Sequence, residues 1–318
     1  MSLAKLKAES TSTQTSAFRN IVVAADFSPV SRRALQYALT LAPEDDSHIS
    51  VVHVRRPDWR YEMLESPPEI DLERRDADEQ LQALIGDVGS KRKIDSILLK
   101  RASICGTILS TAEELGADLL IVGTHGRRGW SKLALGSVSE ELLRSAPCPV
   151  LTVGPNFEAH GVAASRLGTI LFATDFGPGS KKALPLALKL AAVHGSKLVL
   201  LHMISPMPAT STNLAAYAPA TAAADELQGW ESATRKRTLQ ELRECLPADT
   251  RFAHEPDYVV GTDFLPEGVL TAAAKFRADL IVMGATRSAT PRVAAHIPWT
   301  AVHEIIANAS CPVLTVAG

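Results

Sequence analysis

Three glycines and a serine that follow an apolar segment are the residues of this chain best placed to bind an anion. The apolar run 119–122 predicts a buried parallel strand. Gly123 and Gly126 come after it, and Gly136 and Ser137 precede a helical pattern. Glycines let the backbone approach a ligand closely, and the free N–H groups at a helix start attract phosphate. The stretch therefore predicts a phosphate-binding loop. The competing interpretation is a glycine turn that only links strand and helix.

The segments around this loop alternate between strand and helix patterns. Before the loop, apolar runs predict strands at about 19–26, 48–54 and 94–100, each followed by a helical pattern. Ser28-Pro29 predicts the cap and first turn of the first of these helices. After the loop, residues 137–145 predict a helix and residues 149–153 a fifth strand. Such alternation is typical of an α/β fold with a parallel sheet.

The same pattern occurs a second time along the chain. An apolar strand that ends in Asp175-Phe mirrors one that ends in Asp26-Phe, at an offset of 175 − 26 = 149 residues. The run that ends at Gly284 mirrors the run that ends at Gly123, at an offset of 284 − 123 = 161. Two copies of one domain are the simplest account. The stretch 155–166 lacks periodicity and predicts a linker.

The composition is that of an ordinary globular protein. The 318 residues carry a net charge of −2, which disfavours nucleic acid as a partner. The four cysteines have no metal-ligand spacing, so we expect free, mostly buried thiols in a reducing compartment. No apolar run approaches the roughly 20 residues that cross a bilayer. Residues 1–18 lack an apolar signal region and predict a flexible tail, so we expect a cytoplasmic protein without a membrane partner.

The glycine spacing resembles the ATP-binding fingerprint of the universal stress protein family. The matching features are Gly123-x2-Gly126-x9-Gly136-Ser137, the strand before it, and the ending Ala-Pro-Cys-Pro-Val-Leu-Thr-Val at 146–153. Because the pattern repeats, the chain is similar to a tandem, two-domain member of that family.

This resemblance implies a fold and a domain arrangement. It implies two tandem Rossmann-like domains of the adenine nucleotide alpha hydrolase-like type. Each would be a five-stranded parallel sheet of order 3-2-1-4-5 with helices on both faces. The first domain would span 19–154, the linker 155–166 and the second domain 167–318. The two domains would pair through their last strands, and a homodimer is a further expectation.

The resemblance also implies that ATP binds the first domain, with or without Mg²⁺. In such a sheet, strands 1 and 4 meet where the strand order reverses, which is where ligands bind. Asp26 ends strand 1 and the glycine loop follows strand 4, so the two signals come together. The residues that the resemblance assigns to the nucleotide are Ala24, Asp26, Val54, Gly123, His125, Gly126, Arg127, Gly136, Ser137, Val138 and Ser139.

Several of these residues have a second interpretation. Asp26 is also suited to capping the helix that follows it, and the side chain of Val54 is suited to the core. His125 is explained better as a loop or packing histidine than as a catalytic base. Arg127 either supplies charge near the phosphates or is solvated. His53, on an apolar strand, predicts a hydrogen-bonded core histidine.

The second copy departs from the fingerprint. Gly284 keeps the place of Gly123, but Arg287 stands where the second glycine is expected, at 126 + 161. Trp299 stands at 136 + 163, the place of Gly136. We expect that the second domain does not bind ATP in the family's manner. It is then either a pairing partner alone or a site for a smaller or different ligand.

Three functions are consistent with these residues. The first is a nucleotide-dependent stress-response regulator that acts on an unidentified protein partner. The second is a weak ATPase or phosphotransferase, which the absence of a Walker lysine and of evident magnesium ligands disfavours. The third is a scaffold protein without nucleotide, which the intact glycine spacing disfavours. We therefore expect little or no enzymatic activity.

Overall fold

The computed structural model describes residues 16–42, 47–56, 67–89, 93–124, 135–157, 166–204, 220–285 and 299–318. Within the helices, the side chains of 67–73, 220–228 and 230 are not described.

Strands and helices alternate through both halves of the chain. The first half contains β1 (Asn20–Ala24), α1 (Pro29–Leu41), β2 (His48–Arg55), α2 (Pro67–Asp87), β3 (Ile94–Lys100), α3 (Ile104–Glu114), β4 (Leu119–Gly123), α4 (Ser137–Ser145) and β5 (Val150–Val153). The second half contains β6 (Thr169–Ala173), α5 (Pro178–His194), β7 (Lys197–Met203), α6 (Ala220–Glu244), β8 (Asp257–Gly261), α7 (Leu265–Phe276), β9 (Leu280–Ala285), α8 (Trp299–Asn308) and β10 (Val313–Ala317).

Local sequence explains where the helices begin. The side chain of Ser28 accepts a hydrogen bond from Ser31 N, and Pro29 occupies the first helical turn, which confirms the predicted start of α1. Ser103 caps α3 in the same way, because its hydroxyl accepts from Gly106 N. Each cap satisfies an N–H group that the helix itself leaves unpaired.

The strands form one ten-stranded sheet, in the order β3-β2-β1-β4-β5-β10-β9-β6-β7-β8. Each half has the 3-2-1-4-5 order that the resemblance implies, with parallel neighbours. The halves join through their last strands, because β5 and β10 pair antiparallel, with Leu151 opposite Leu314. Two buried threonines reinforce this junction: Thr152 Oγ1 donates to Val313 O, and Thr315 Oγ1 donates to Val150 O, each at 3.1 Å.

The sheet carries an apolar layer on each face. Along β1, Ile21 and Val23 face one layer with α1 and α2, while Val22 faces the other layer with α3 and α4. This alternation follows from the two-residue period of a strand. Both layers continue into the second half, so the core crosses the junction between the halves. Each fully buried leucine or isoleucine contributes roughly 1.5–3 kcal/mol to folding.

The packed chain begins before residue 19, because Ala17 and Phe18 are both buried in the first layer. The two described ends of the predicted linker are packed as well, with Phe157 and Leu167 buried. In the described ranges, we find no helix that combines the length and the apolar character needed to cross a bilayer.

Candidate functional site

The carboxyl ends of β1 and β4 lie side by side, as expected from the sequence pattern. The two strands are parallel neighbours with Ala24 beside Val122. Beyond β4, the backbone of Thr124 accepts a hydrogen bond from Gly136 N at 2.9 Å. The start of α4 is therefore held directly above the end of β4, next to the residues that follow β1. Ala24, Asp26, Gly123 and Gly136 come together at one edge of the sheet.

Asp26 organises the turn between β1 and α1. Its Oδ1 accepts hydrogen bonds from Ser28 N at 3.0 Å and from Ser31 Oγ at 2.5 Å. In the second half, Asp175 Oδ1 accepts from Gly177 N at 2.8 Å and from Ser180 Oγ at 2.5 Å. The same network exists in the copy that lacks the glycine fingerprint. The turn role of this aspartate therefore does not depend on a phosphate loop.

A strained phenylalanine follows each of these aspartates. Phe27 has φ 66° and Phe176 has φ 57°, a left-handed conformation that costs a residue with a Cβ atom about 1–2 kcal/mol. Each ring packs on a histidine: Phe27 on His53 at 4.1 Å between centroids and Phe176 on His202 at 4.6 Å. Sequence reasoning missed this feature, although Asp-Phe recurs at the same offset as the two histidines.

Both of these histidines are hydrogen-bonded, as predicted for His53. The Nδ1 atom of His53 lies 2.7 Å from Ala25 O, and that of His202 lies 2.8 Å from Thr174 O. A carbonyl accepts, so Nδ1 carries the proton in each ring. Burial lowers the pKa of His202, which favours the neutral ring. The two histidines thus support the phenylalanine turns.

Gly123 is required by strand–helix packing. A Cβ atom at Gly123 would lie 2.8 Å from Val30 Cγ1 of α1. At the equivalent Gly284, a Cβ atom would collide with the backbone of Gly179 and Ser180 at the start of α5. This contact explains why the second copy keeps the first glycine of the fingerprint. The first glycine alone is therefore weak evidence for a phosphate site.

The start of α4 offers the best described anion-binding geometry. Gly136 is the N-cap and has no side chain to satisfy the first N–H groups of the helix. The hydroxyl of Ser137 is on an exposed residue, whereas Ser139 is buried and its Oγ donates to Gly123 O at 2.6 Å. Ser139 thereby ties α4 to the end of β4. Val138 is half-buried against the second apolar layer.

Three predicted site residues, His125, Gly126 and Arg127, lie outside the described residues, as does Arg287 of the second copy. Val54 is described: it is buried in β2, next to Leu99 of β3. Its side chain belongs to the second apolar layer, as the core interpretation expects. Among the described residues, no group of three His, Cys, Asp or Glu side chains is placed to hold a metal ion.

The cysteines are free thiols with little tendency to ionise. Burial raises the pKa of Cys148 to about 11 and the pKa values of Cys105 and Cys311 to about 12. A thiolate is the reactive form, so these side chains are not activated nucleophiles.

Trp299 lies at the start of α8 and contacts the first domain. The guanidinium carbon of Arg144 in α4 lies 4.8 Å from the centroid of its ring. The ring of His303 packs edge-on against it at 5.2 Å, and His303 Nε2 lies 3.9 Å from Glu140 Oε1. Trp299, which replaces the loop glycine in the second copy, therefore packs between α8 and α4.

Comparison with known proteins decides the family. The sequence profile described as "Universal stress protein family" matches residues 17–154 and again residues 167–317. The chain belongs to the universal stress protein family. The two matches correspond to the two halves of the sheet, so this is a tandem member.

Universal stress proteins from distant organisms resemble one or both halves of the chain. One from Methanocaldococcus jannaschii is 28% identical over 149 residues, covering 43% of this chain and 82% of that protein. One from Mycolicibacterium smegmatis is 29% identical over 194 residues, covering 58% of this chain and 63% of that protein. The crystal structure of a universal stress protein from Archaeoglobus fulgidus aligns with a TM-score of 0.62 at 19% identity, over 95% of this chain and 97% of that chain. The last likeness shows that the tandem fold is shared.

Proposed function

We propose that the protein is a regulator that binds ATP in its first domain. The observation that carries the proposal is the start of α4. There an N-cap without a side chain, Gly136, and an exposed hydroxyl, Ser137, are held above β4 beside the Asp26 turn. Helix N–H groups and the positive end of the helix dipole attract phosphate.

The remaining contacts follow from the family fingerprint. In this proposal Ala24, Asp26 and the backbone of Val54 contact the nucleoside. Gly123, His125, Gly126, Arg127, Gly136, Ser137 and Val138 surround ribose and phosphates, with or without Mg²⁺. Ser139 acts through its bond to Gly123 O and so positions the loop rather than the ligand.

The second domain serves as a pairing partner in this proposal. In the second domain, Trp299 occupies the position that Gly136 has in the first, and its ring packs against the guanidinium group of Arg144. The domains extend over 19–154 and 167–318, joined by 155–166. ATP would regulate a cytoplasmic protein partner, or a homodimer, by binding one conformation more tightly than another.

The test is the nucleotide content of freshly purified protein, measured by mass spectrometry after denaturation, together with ATP titration. We expect about one ATP per chain. Two per chain would contradict the role given to Trp299, and ADP in place of ATP would favour hydrolysis. No content and no binding on titration would overturn the proposal.

A matched pair of variants locates the site. Ser137→Glu places a carboxylate at the first position of α4. The helix dipole stabilises this carboxylate, but its negative charge repels a bound phosphate. Thr300→Glu makes the same change at the equivalent exposed position of α8, since 137 + 163 = 300. We expect Ser137→Glu to weaken ATP binding by about tenfold or more with stability retained. Equal affinity in both variants would show that α4 does not hold the phosphates.

A further inference from the structure

A cavity of about 550 Å³ lies between the two domains. Its walls come from α1 of the first domain, from both described ends of the linker, and from the turn between α7 and β9 of the second domain. None of its described lining residues belongs to the proposed ATP site. The volume is within the range of cavities that hold small organic ligands, roughly 300–1,000 Å³.

The floor of the cavity is apolar and fixed in place. Tyr37, Phe157 and Leu167 are buried, and the rings of Tyr37 and Phe157 pack edge-on at 5.8 Å between centroids. The Tyr37 hydroxyl donates to Asp279 O of the second domain at 2.7 Å. Ala278 completes this surface beside Asp279. This hydrogen bond joins the two domains at the floor of the cavity.

The rim of the cavity is positively charged. Arg166 and Arg277 both line it, and neither guanidinium has an ion-pair partner in the part of the chain that the structure describes. Asp279 carries the single carboxyl group among the described lining residues. Its Oδ2 already accepts hydrogen bonds from Gly168 N and Thr169 N, at 2.8 and 2.9 Å. The carboxylate is therefore held at the start of β6. Two guanidinium groups against one carboxylate leave the described lining with an excess of positive charge.

The backbone of Arg277 gives a second, independent reason to assign a function to the rim. Arg277 ends α7 in a left-handed conformation with φ 51°. The equivalent residue of the first domain is Gly116, since 116 + 161 = 277, and it has φ 58°. Glycine is the favoured residue at such a helix end, and a Cβ atom is disfavoured there. The second domain thus keeps an arginine where glycine would be more stable, and that arginine reaches the cavity.

We propose that this interdomain cavity binds a small organic anion with an apolar body. The acid group, a carboxylate or a phosphate, is held at the rim by Arg166 and Arg277. The apolar body lies against Tyr37, Phe157 and Ala278. The linker supplies Arg166 and Phe157, and the two domains supply the rest of the described lining. This site goes beyond the proposed ATP function and does not require it.

The first experiment is isothermal titration calorimetry of the full chain with four probes: octanoate, octyl phosphate, 1-octanol and inorganic phosphate. We expect one site per chain for octanoate or octyl phosphate, and binding at least tenfold weaker for octanol and for inorganic phosphate. The preferred acid group distinguishes a carboxylate ligand from a phosphate ester. The proposal is overturned if neither amphiphilic anion binds, or if octanol binds equally well.

Variants then place the bound probe. Arg277→Gly removes the charge and the backbone strain together, so we expect an unchanged or higher Tm and affinity for the anion lowered at least tenfold. Arg166→Gln should lower the affinity by a similar factor, and it provides an independent test if Arg277→Gly does not fold. Arg251→Gln, an exposed arginine outside the lining, is the matched control and should bind normally.

A filled cavity provides the last check. Ala274 lines the cavity from an exposed position on α7, so Ala274→Trp can occupy the space without disturbing the core. We expect this variant to lose probe binding and to keep the ATP content of the unmodified protein. Probe binding that survives in Ala274→Trp and in Arg277→Gly would show that the probe binds elsewhere. ATP content is scored separately, so failure of this site and failure of the ATP site are distinguishable.

Discussion

The guanidinium carbon of Arg144 lies 4.8 Å from the centroid of the Trp299 ring, across the contact between the two domains. Arg144 is in the last turn of α4, the helix whose first turn is proposed to bind phosphate. Trp299 occupies the place of the corresponding loop glycine in the second domain. The tryptophan thus adds a contact to the first domain. In the proposed function, the same residue also removes a phosphate-binding glycine from the second domain.

Trp299→Ala should destabilise the protein, because it removes ring packing against His303 and the cation–π contact with Arg144. We expect a loss of about 2 kcal/mol in the free energy of unfolding, and a smaller loss for Trp299→Phe, which keeps a ring. Urea unfolding of both variants measures this. An equal loss in the two variants would argue against the ring contact.

Trp299→Gly should not create a second ATP site, because Arg287 still replaces the second glycine of the fingerprint. The measurement is ATP stoichiometry by calorimetry, with the unmodified protein as the reference. Two bound ATP per chain in this variant would contradict the expectation.

Asp26→Ala and Asp175→Ala form a matched pair, since each removes the same two turn hydrogen bonds. We expect each to lower the free energy of unfolding by about 1–3 kcal/mol. Only Asp26→Ala should also lose ATP affinity, because Asp175 lies in the domain without a fingerprint. Thermal unfolding with and without ATP separates the two effects. Equal ATP affinity in both variants would leave Asp26 with the turn role alone.

Ser137→Ala should affect ATP binding, whereas Ser139→Ala should also affect stability. Ser137 is exposed, so its loss should weaken ATP binding with little change in stability. Ser139 is buried and bonded to Gly123 O, so its loss should cost about 1 kcal/mol of stability and displace the loop. Unfolding and ATP titration of both variants test this. A stable Ser139→Ala protein with normal ATP binding would contradict the positioning role.

His194 should make stability depend on pH. It is 3% exposed, and neither ring nitrogen has a hydrogen-bond partner among the residues that the structure describes. Burial, and then the nearby charge of Arg166, lower its pKa from 6.5 to about 4. The folded state therefore holds the ring neutral, and the unfolded state binds a proton first as pH falls. The free energy of unfolding therefore has its full value above about pH 6.5 and decreases progressively as the pH falls toward 4.

The magnitude for His194 is on the order of 2 kcal/mol over that range. His194→Phe should remove this part of the pH dependence, measured as the difference between the two proteins in urea unfolding at several pH values. The comparison is needed because burial also lowers the pKa values of His202 and His303. An unchanged slope in the variant would show that His194 is not the linked group.

Local features of the site were predictable, and contacts between distant residues were not. Ser28-Pro29 and Gly136-Ser137 predicted helix starts correctly, because capping depends on residues a few positions apart. The bond from Ser139 to Gly123 O was not predictable, because Ser137 and Ser139 look alike in sequence and only packing shows which one is buried. The role of Trp299 against Arg144 was missed for the same reason.

The sequence by itself determined the family, the repeat, the strand and helix pattern and the aspartate that ends the first strand of each copy. These features can be read from residue periodicity and from short motifs, which involve residues only a few positions apart. Only the tertiary structure decided which glycines packing requires, which serine faces outward, and that Arg166 and Arg277 share a cavity rim. Those facts depend on contacts between residues that are distant in the chain, such as Val30 with Gly123, Gly179 with Gly284, and Arg166 with Arg277 at the cavity.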